Sequence, residues 1–296
     1  MGEEVKPGIY KDIPFDTYQS WDFMSQSILK EPSQLHMKAA MSRERKQTRG
    51  MRIGSAIHTY LLEPMKFAEA HPVALPCCSK LKSGARKGQD CGNDSKYRTL
   101  DGWFCGTHKP DEAQEVQSRI TPKEQEQIHE LGTKILSHRI GRHIRKPGES
   151  ELSLVAEIEG IMMKGRIDRI WSDPPVILDC KKIPLRGGSE SSLRSTIRKY
   201  GYDLQAAMYR RLWFELNGTR PGYIWLFIED EPPYDLIVRQ ADEDMLSIGT
   251  GKLLQAVNTW KHALDQGYYF GCGGADFGTS VAKISPDEWE VKAWGL

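Results

Sequence analysis

The amino-acid sequence predicts an α/β (α+β) protein with one mixed β-sheet flanked by helices. Three observations carry this expectation. Between residues 151 and 180 the hydrophobic period is two, in three runs broken by turn residues. Segments of helical period lie on either side. A second pair of strand-like runs, at 223–229 and 234–240, follows a helix and is joined around Pro232-Pro233.

Taken in order, Ser25 or Ser27 can cap a short helix running through Met41. A helix over 48–63 places Ile53, Ile57, Tyr60 and Leu61 at helical spacing, and Pro64 ends it. Thr121-Pro122-Lys123-Glu124 reads as a capping box with proline at the first helical position. It opens a helix carrying Ile128, Leu131, Ile135 and Leu136. ELSLVAEI at 151–158 alternates as a strand, Glu159-Gly160 turns the chain, and IMMKGRIDRIW at 161–171 is a second strand. Ser172-Asp173-Pro174-Pro175 turns it again into the apolar strand VILDC at 176–180. A helix over 202–217 ends at Gly218, and a long helix covers 242–266. No internal repeat is present.

Composition bounds the class. The chain has 296 residues, 39% apolar and 27% charged, a globular profile that excludes a collagen, a coiled-coil rod or wholesale disorder. A net charge of +1 argues against coating nucleic acid by bulk charge but leaves room for a local basic channel. The charges are segregated. Residues 181–199 hold six Lys/Arg and one acid, and 43–52 are similarly basic, whereas 229–244 hold seven Asp/Glu and one Arg. No run of eighteen apolar residues predicts a membrane span, and MGEEVKPGIYKDIPF lacks the apolar core of a secretory signal. A cytoplasmic location is expected, with the six cysteines reduced or metal-bound.

Asp168 in GRIDRI and Asp179 and Lys181 in LDCKK form the central constellation. Asp179 and Lys181, two apart on a strand, share a face, and an antiparallel neighbour can bring Asp168 beside Asp179. Two carboxylates converging with a lysine suit Mg²⁺ or Mn²⁺ and phosphodiester hydrolysis: the metal activates water and screens developing charge while the lysine orients the nucleophile. Glu151 can reach the same pocket, and Glu149 is its rival on pattern.

A second constellation lies in the stretch 76–110, rich in Gly, Lys and Asp and too poor in aliphatics to bury its own core. Cys78 (or Cys77), Cys91, Cys105 and His108 form a Cys₃His set, a usual structural zinc complement, with Cys105-Gly106-Thr107-His108 as a tight knuckle. Zinc would fold this stretch, and Lys80, Lys82, Arg86, Lys87, Lys96 and Arg98 could then contact DNA.

Glu151, GRIDRI and LDCKK, in that order, resemble the PD-(D/E)xK nuclease superfamily, and more specifically its RecB-like and RecE-like exonucleases of the lambda-exonuclease type. Gly54 and His58 resemble the family's G-x-x-x-H helix, Gln205 and Tyr209 its Gln-x-x-x-Tyr helix, and residues 9–35 the RecE-like segment before the histidine helix. The resemblance implies a restriction-endonuclease-like fold. It implies that Asp168, Asp179, the Cys180 carbonyl, Glu151 and His58 serve the metal. Lys181 would be the catalytic lysine, and Gln205 and Tyr209 would position substrate or lysine. Lys182 stands where the family usually has Thr. Arg52, Lys182, Arg186, Arg194, Arg198 and Lys199 would contact DNA phosphates. Some RecB-like relatives carry an iron–sulfur cluster, with one cysteine before the core and three after; here the four candidates all precede it.

The function so implied is exonuclease action on double-strand ends in a phage or recombination setting, with a single-strand annealing protein as partner and a ring-shaped homo-oligomer. A RecB-like single-strand exonuclease or endonuclease, and an inactive zinc-containing DNA-binding scaffold, are the alternatives. The corresponding domain division is 1–75, the insertion 76–110, the nuclease core 111–266 and a tail 267–296.

Overall fold

In a computed structural model, the residues described are 5–30, 37, 48–184, 189–229, 231–232, 234–267 and 269. Their strands are β1 (Gly8–Tyr10), β2 (Tyr97–Thr99), β3 (Gly102–Phe104), β4 (Gln114–Glu115), β5 (Glu149–Ile158), β6 (Ile161–Ser172), β7 (Pro175–Ile183), β8 (Gly222–Glu229) and β9 (Leu236–Gln240). Their α-helices are α1 (Phe15–Ser20), α2 (Gln26–Leu29), α3 (Arg49–Leu62), α4 (Phe67–Ala70), α5 (Pro122–Ser137), α6 (Arg139–Ile144), α7 (Glu190–Tyr200), α8 (Tyr202–Asn217) and α9 (Glu243–Gln266).

Six strands form one mixed sheet in the order β1-β5-β6-β7-β8-β9. The β5–β6 hairpin turns at Glu159 and Gly160, whose positive φ values of 52° and 81° match the twist that a tight hairpin needs. β7 and β8 pair in parallel, from Val176↔Gly222 to Ile183↔Glu229. Parallel neighbours need a long crossover, and here it carries α7 and α8.

Each sheet face buries its own core. Ile177, Trp225 and the β5–β6 residues Leu154 and Met163 pack under α8 and α9 through Met208, Leu212, Leu253, Val257 and Trp260. Leu178, Cys180, Leu226 and Ile228 face the other way, onto Ala56, Ile57 and Leu61 of α3 and Ile128 and Leu131 of α5. Alternation along β7 therefore turns Asp179 toward α8. Among the described residues, no helix is long and apolar enough to cross a membrane.

The mixed sheet between helices is the expected fold class. Several elements were not legible in the sequence, among them α1, α4, β1, α6 and α7. β1 is only three residues and borrows its order from β5. α6 is short. α7 is hidden in the basic run, although Leu193 and Ile197, four apart, are its buried stripe. The cysteine-rich stretch carries its own sheet, β3-β2-β4, which continues to Glu115, past residue 110. Most of the helix expected through Met41, and the tail after 269, lie outside the described residues.

Candidate active site and metal centres

Register builds the centre. β5 pairs Ser150↔Arg169 and Leu152↔Ile167, so Glu151 falls opposite Asp168. The β6–β7 ladder ends at Arg169↔Leu178, so the next position brings Asp168 opposite Asp179. Three carboxylates thus occupy one row across three adjacent strands. Glu151 has a φ of 50°, unusual for a side chain with a Cβ, so the row sits at a local break in the pleat.

The row divides into two groups. In the first, Asp168 Oδ2 accepts from the Cys180 N–H at 2.7 Å, and His58, reaching over from α3, places Nδ1 3.5 Å from that oxygen and 3.9 Å from Glu151 Oε1. His58 Nε2 lies 3.1 Å from the Cys180 carbonyl oxygen. If Nε2 donates to that carbonyl, the Nδ1 lone pair faces two carboxylate oxygens, an arrangement that a proton or a cation must hold together. A His58 ring nitrogen, an Asp168 carboxylate oxygen and the Cys180 Sγ also lie within 4.8 Å of one another.

In the second group, Lys181 Nζ is 2.8 Å from Asp179 and Gln205 Nε2 donates to Asp179 Oδ1 at 3.4 Å. Asp179 is fully buried, and Lys181 Nζ lies 2.8 Å from each of its two carboxylate oxygens. Burial pushes its carboxyl up to about 6, with the Asp168 charge adding to the rise and Lys181 opposing it. Burial pulls the Lys181 ammonium down, but the Asp179 and Asp168 charges outweigh that and raise it. Tyr209, one turn after Gln205, lays its ring on Gly165, where an added Cβ would stand 2.9 Å from it.

The carboxylate oxygens of Asp168 and Glu151, the Cys180 carbonyl and the His58 imidazole form a donor set that suits a hard divalent cation. Asp179 is paired with Lys181 and Gln205, and next to it in the row Asp168 faces His58. Glu149 is half-buried and paired with Lys11 at 2.6 Å, whereas Glu151 is the carboxylate that faces His58.

Two contributors escaped the sequence reading. Arg166 Nε holds Glu151 Oε2 at 2.8 Å, and its spacing of two from Asp168 was the available signal. Tyr202, three residues before Gln205 on α8, lies with its ring centroid 4.9 Å from Lys181 Nζ.

In the insertion, Cys77, Cys91, Cys105 and His108 bring their ligand atoms within 4.8 Å of one another. His108 Nδ1 is 3.7 Å from Cys77 Sγ and 3.5 Å from Cys105 Sγ, and Cys91 and Cys105 sulfurs are 4.0 Å apart. Tetrahedral zinc with Zn–S bonds of about 2.3 Å sets sulfurs about 3.8 Å apart, so the residues fit that ion. Cys77 rather than Cys78 completes the set. Adjacent residues of extended chain point opposite ways, and Cys78 is exposed, its sulfur lying over Gly102 of β3. Burial pushes the Cys77 thiol up, but N–H donors of Cys105 and Ser79 and the His108 imidazole overcome it and bring it down to about 6.

The expected DNA contacts separate. Arg52 is committed inside the protein: its Nη2 reaches both oxygens of Glu124 at 3.1 and 3.2 Å. Lys182 lines a cavity of about 320 Å³ with Arg49, Gly50, Gln127 and Tyr234. Arg194, Arg198 and Lys199 are exposed on α7, and Arg186 lies outside the described residues. In the insertion, Lys80 pairs with Asp90 and Lys96 with Glu115, Arg86 donates to the Asp90 and Cys91 carbonyls, and Arg98 lies over Trp103.

A family profile described as a PDDEXK-like domain of unknown function (DUF3799) matches residues 24–277. The chain belongs to this PDDEXK-like family. Its six-stranded mixed sheet and the carboxylate row are thus set within a restriction-endonuclease-like fold. A solved structure described as "Putative exonuclease" from Eubacterium rectale is similar to this PDDEXK-like protein over 97% of this chain and 100% of its own, with a TM-score of 0.57 and 14% identity. At that identity the likeness shows the fold alone. A second solved structure, SSO0001, is 16% identical over 43% of this chain and 57% of its own, with a TM-score of 0.26, and carries no argument. No curated protein matches the sequence.

Proposed function

We propose that this PDDEXK-like protein is a metal-dependent deoxyribonuclease that degrades DNA from double-strand ends. The observation that carries the reading is the row Glu151–Asp168–Asp179 with Lys181 Nζ 2.8 Å from its last member. Asp168, Asp179, Glu151, His58 and the Cys180 carbonyl would hold Mg²⁺ or Mn²⁺. When bound, the ion would supply an activated water and a counter-charge to the attacked phosphate. Lys181 Nζ orients that water and a phosphate oxygen; Gln205 fixes the Asp179 carboxylate, and Tyr209 fixes α8 against β6. Arg166 orients Glu151. Arg194, Arg198 and Lys199, with Lys182 at the cavity, take the strand's phosphates. The fold of the E. rectale protein supports the exonuclease form of the reading.

The insertion 76–110 serves as a zinc-stapled module within a nuclease formed by 1–75 and 111–266. The resemblance extends the proposal to a recombination setting, a single-strand annealing partner and a homo-oligomeric working form. Light scattering of the purified chain tests the last.

The deciding assay incubates linear, end-blocked linear and circular duplex with Mg²⁺ and with Mn²⁺. Degradation of free-ended DNA alone supports the proposal. Cutting of circles moves the reading to an endonuclease, and preference for single strands moves it to the RecB-like form. Absence of cleavage of every substrate would falsify the catalytic reading.

A further inference from the structure

The junction of α7 and α8 carries a feature that hydrolysis itself does not use. α7 ends at Tyr200, Gly201 turns the chain with a φ of 66°, and α8 starts at Tyr202. The left-handed turn doubles the chain back, so the flanking rings stack, with centroids 5.6 Å apart and planes at 24°. A Cβ on residue 201 would be strained at that φ, so glycine is what permits the stack. The turn is also held from behind. Gln26 Nε2 donates to the Gly201 carbonyl at 3.2 Å, and Lys30 Nζ to the Tyr200 carbonyl at 3.1 Å.

The inner ring belongs to the active site, because Lys181 Nζ is 4.9 Å from the Tyr202 centroid. The outer ring belongs to the surface. Tyr200 is 43% exposed, and Lys199 Nζ lies 5.4 Å from its centroid. Cation, ring, ring and cation thus form a ladder from the carboxylate row to solvent. Arg194 and Arg198, four apart on α7, are exposed on the same helix. Tyr200 stays partly open to solvent, and a π-face bordered by positive charge complements a nucleotide: base on the ring, phosphate on the cations.

We propose that Tyr200 is a stacking platform for an unpaired base of the DNA strand entering the site. The inference rests on the nuclease reading and adds a specificity to it. A base inside duplex has both faces covered by its neighbours, whereas a frayed or single-stranded terminal base has a face to give. The Lys199 ammonium, now over the ring, passes to the phosphate as the base arrives. The recognition is of a π-face and a phosphate, so it is tolerant of sequence.

The test uses the full chain with Ca²⁺ in place of Mg²⁺ and a duplex bearing a short single-stranded tail that ends in 2-aminopurine. Stacking quenches this base, and anisotropy of a distant dye reads binding separately. Wild type is expected to quench the tail. Tyr200→Ser is expected to lose the quenching and bind the tailed DNA about tenfold more weakly. Tyr200→Trp is expected to recover both, which a merely structural tyrosine would not allow. Wild-type quenching and affinity in Tyr200→Ser overturn the platform while leaving the nuclease reading intact, as does failure of tryptophan to rescue. Absence of DNA binding by the wild type overturns both.

Discussion

At the scale of single residues, the site depends on placing a charge where water is absent. Asp179 is fully buried and is tolerated because Lys181 stands 2.8 Å away. Neither partner is dispensable, since removing one leaves the other charged and buried. Asp179→Asn keeps the shape and removes the anion. Under the nuclease reading it and Lys181→Met are each expected to lower the initial rate on linear duplex by about 10²–10⁴-fold. Thermal denaturation should confirm that each variant folds; a folded Asp179→Asn with wild-type rates would remove the carboxylate from the mechanism. The same scale explains two ambiguities in the sequence. Glu149 and Glu151 lie two apart in one strand, and periodicity, which favours Glu151 because the alternating run begins there, does not by itself separate them. The positive φ at Glu151 and its bond to Arg166 do so. Cys77 and Cys78 are neighbours, and only the pairing of the chain around Asn93 and Trp103 decides which thiol turns inward.

At the scale of elements, the start of α5 shows a local motif doing tertiary work. Thr121 and Glu124 cap the helix reciprocally, as the sequence predicts, yet the same Glu124 also receives Arg49 and Arg52 from α3. Burial pushes the Glu124 carboxyl up, but the Thr121 N–H and the two guanidinium groups outweigh it, and the folded value lies below the ordinary one. The unfolded chain therefore binds this proton more readily. The stabilisation is complete above the ordinary glutamate value of about 4.3 and is lost as pH falls through the folded value. Wild type should exceed Glu124→Gln by about 1–3 kcal/mol in urea titrations at pH 7, with the gap narrowing in acid. A gap that is constant down to pH 3 would contradict the linkage. Helix packing sets a second expectation. A Cβ on residue 249 of α9 would stand 2.2 Å from the Asp203 carbonyl of α8. Gly249→Ala should therefore cost about 1–3 kcal/mol, read as a lower urea midpoint. For the insertion, purified protein is expected to hold one zinc per chain. Cys105→Ser or a chelator should release it and open residues 79–112 to protease. Full zinc retention by that variant would exclude the ligand set.

At the scale of the whole molecule, a net charge of +1 conceals separation. α7 carries Arg194, Arg198 and Lys199 outward beside the active-site row, whereas Arg49 and Arg52 are paired with Glu124, Lys80 with Asp90 and Lys96 with Glu115. If α7 tracks the strand, Arg194→Ala and Arg198→Ala should each lower the slope of log binding constant against log salt by about one, on any DNA sequence. Equal slopes in wild type and variants would relieve α7 of that role.

The sequence by itself determined the sheet's strands from 151 to 180, the α5 cap, the α8 and α9 spans and the residue types of both metal constellations. These are set by local periodicity and turn chemistry, which act within a few residues. It could not order β1, place α7 or choose between adjacent cysteines. Nor could it show that Arg52 serves Glu124 or that Tyr200 stacks on Tyr202. Each of those depends on which segment distant in sequence arrives alongside, and only the packed sheet, with a helix layer on either face, settles that.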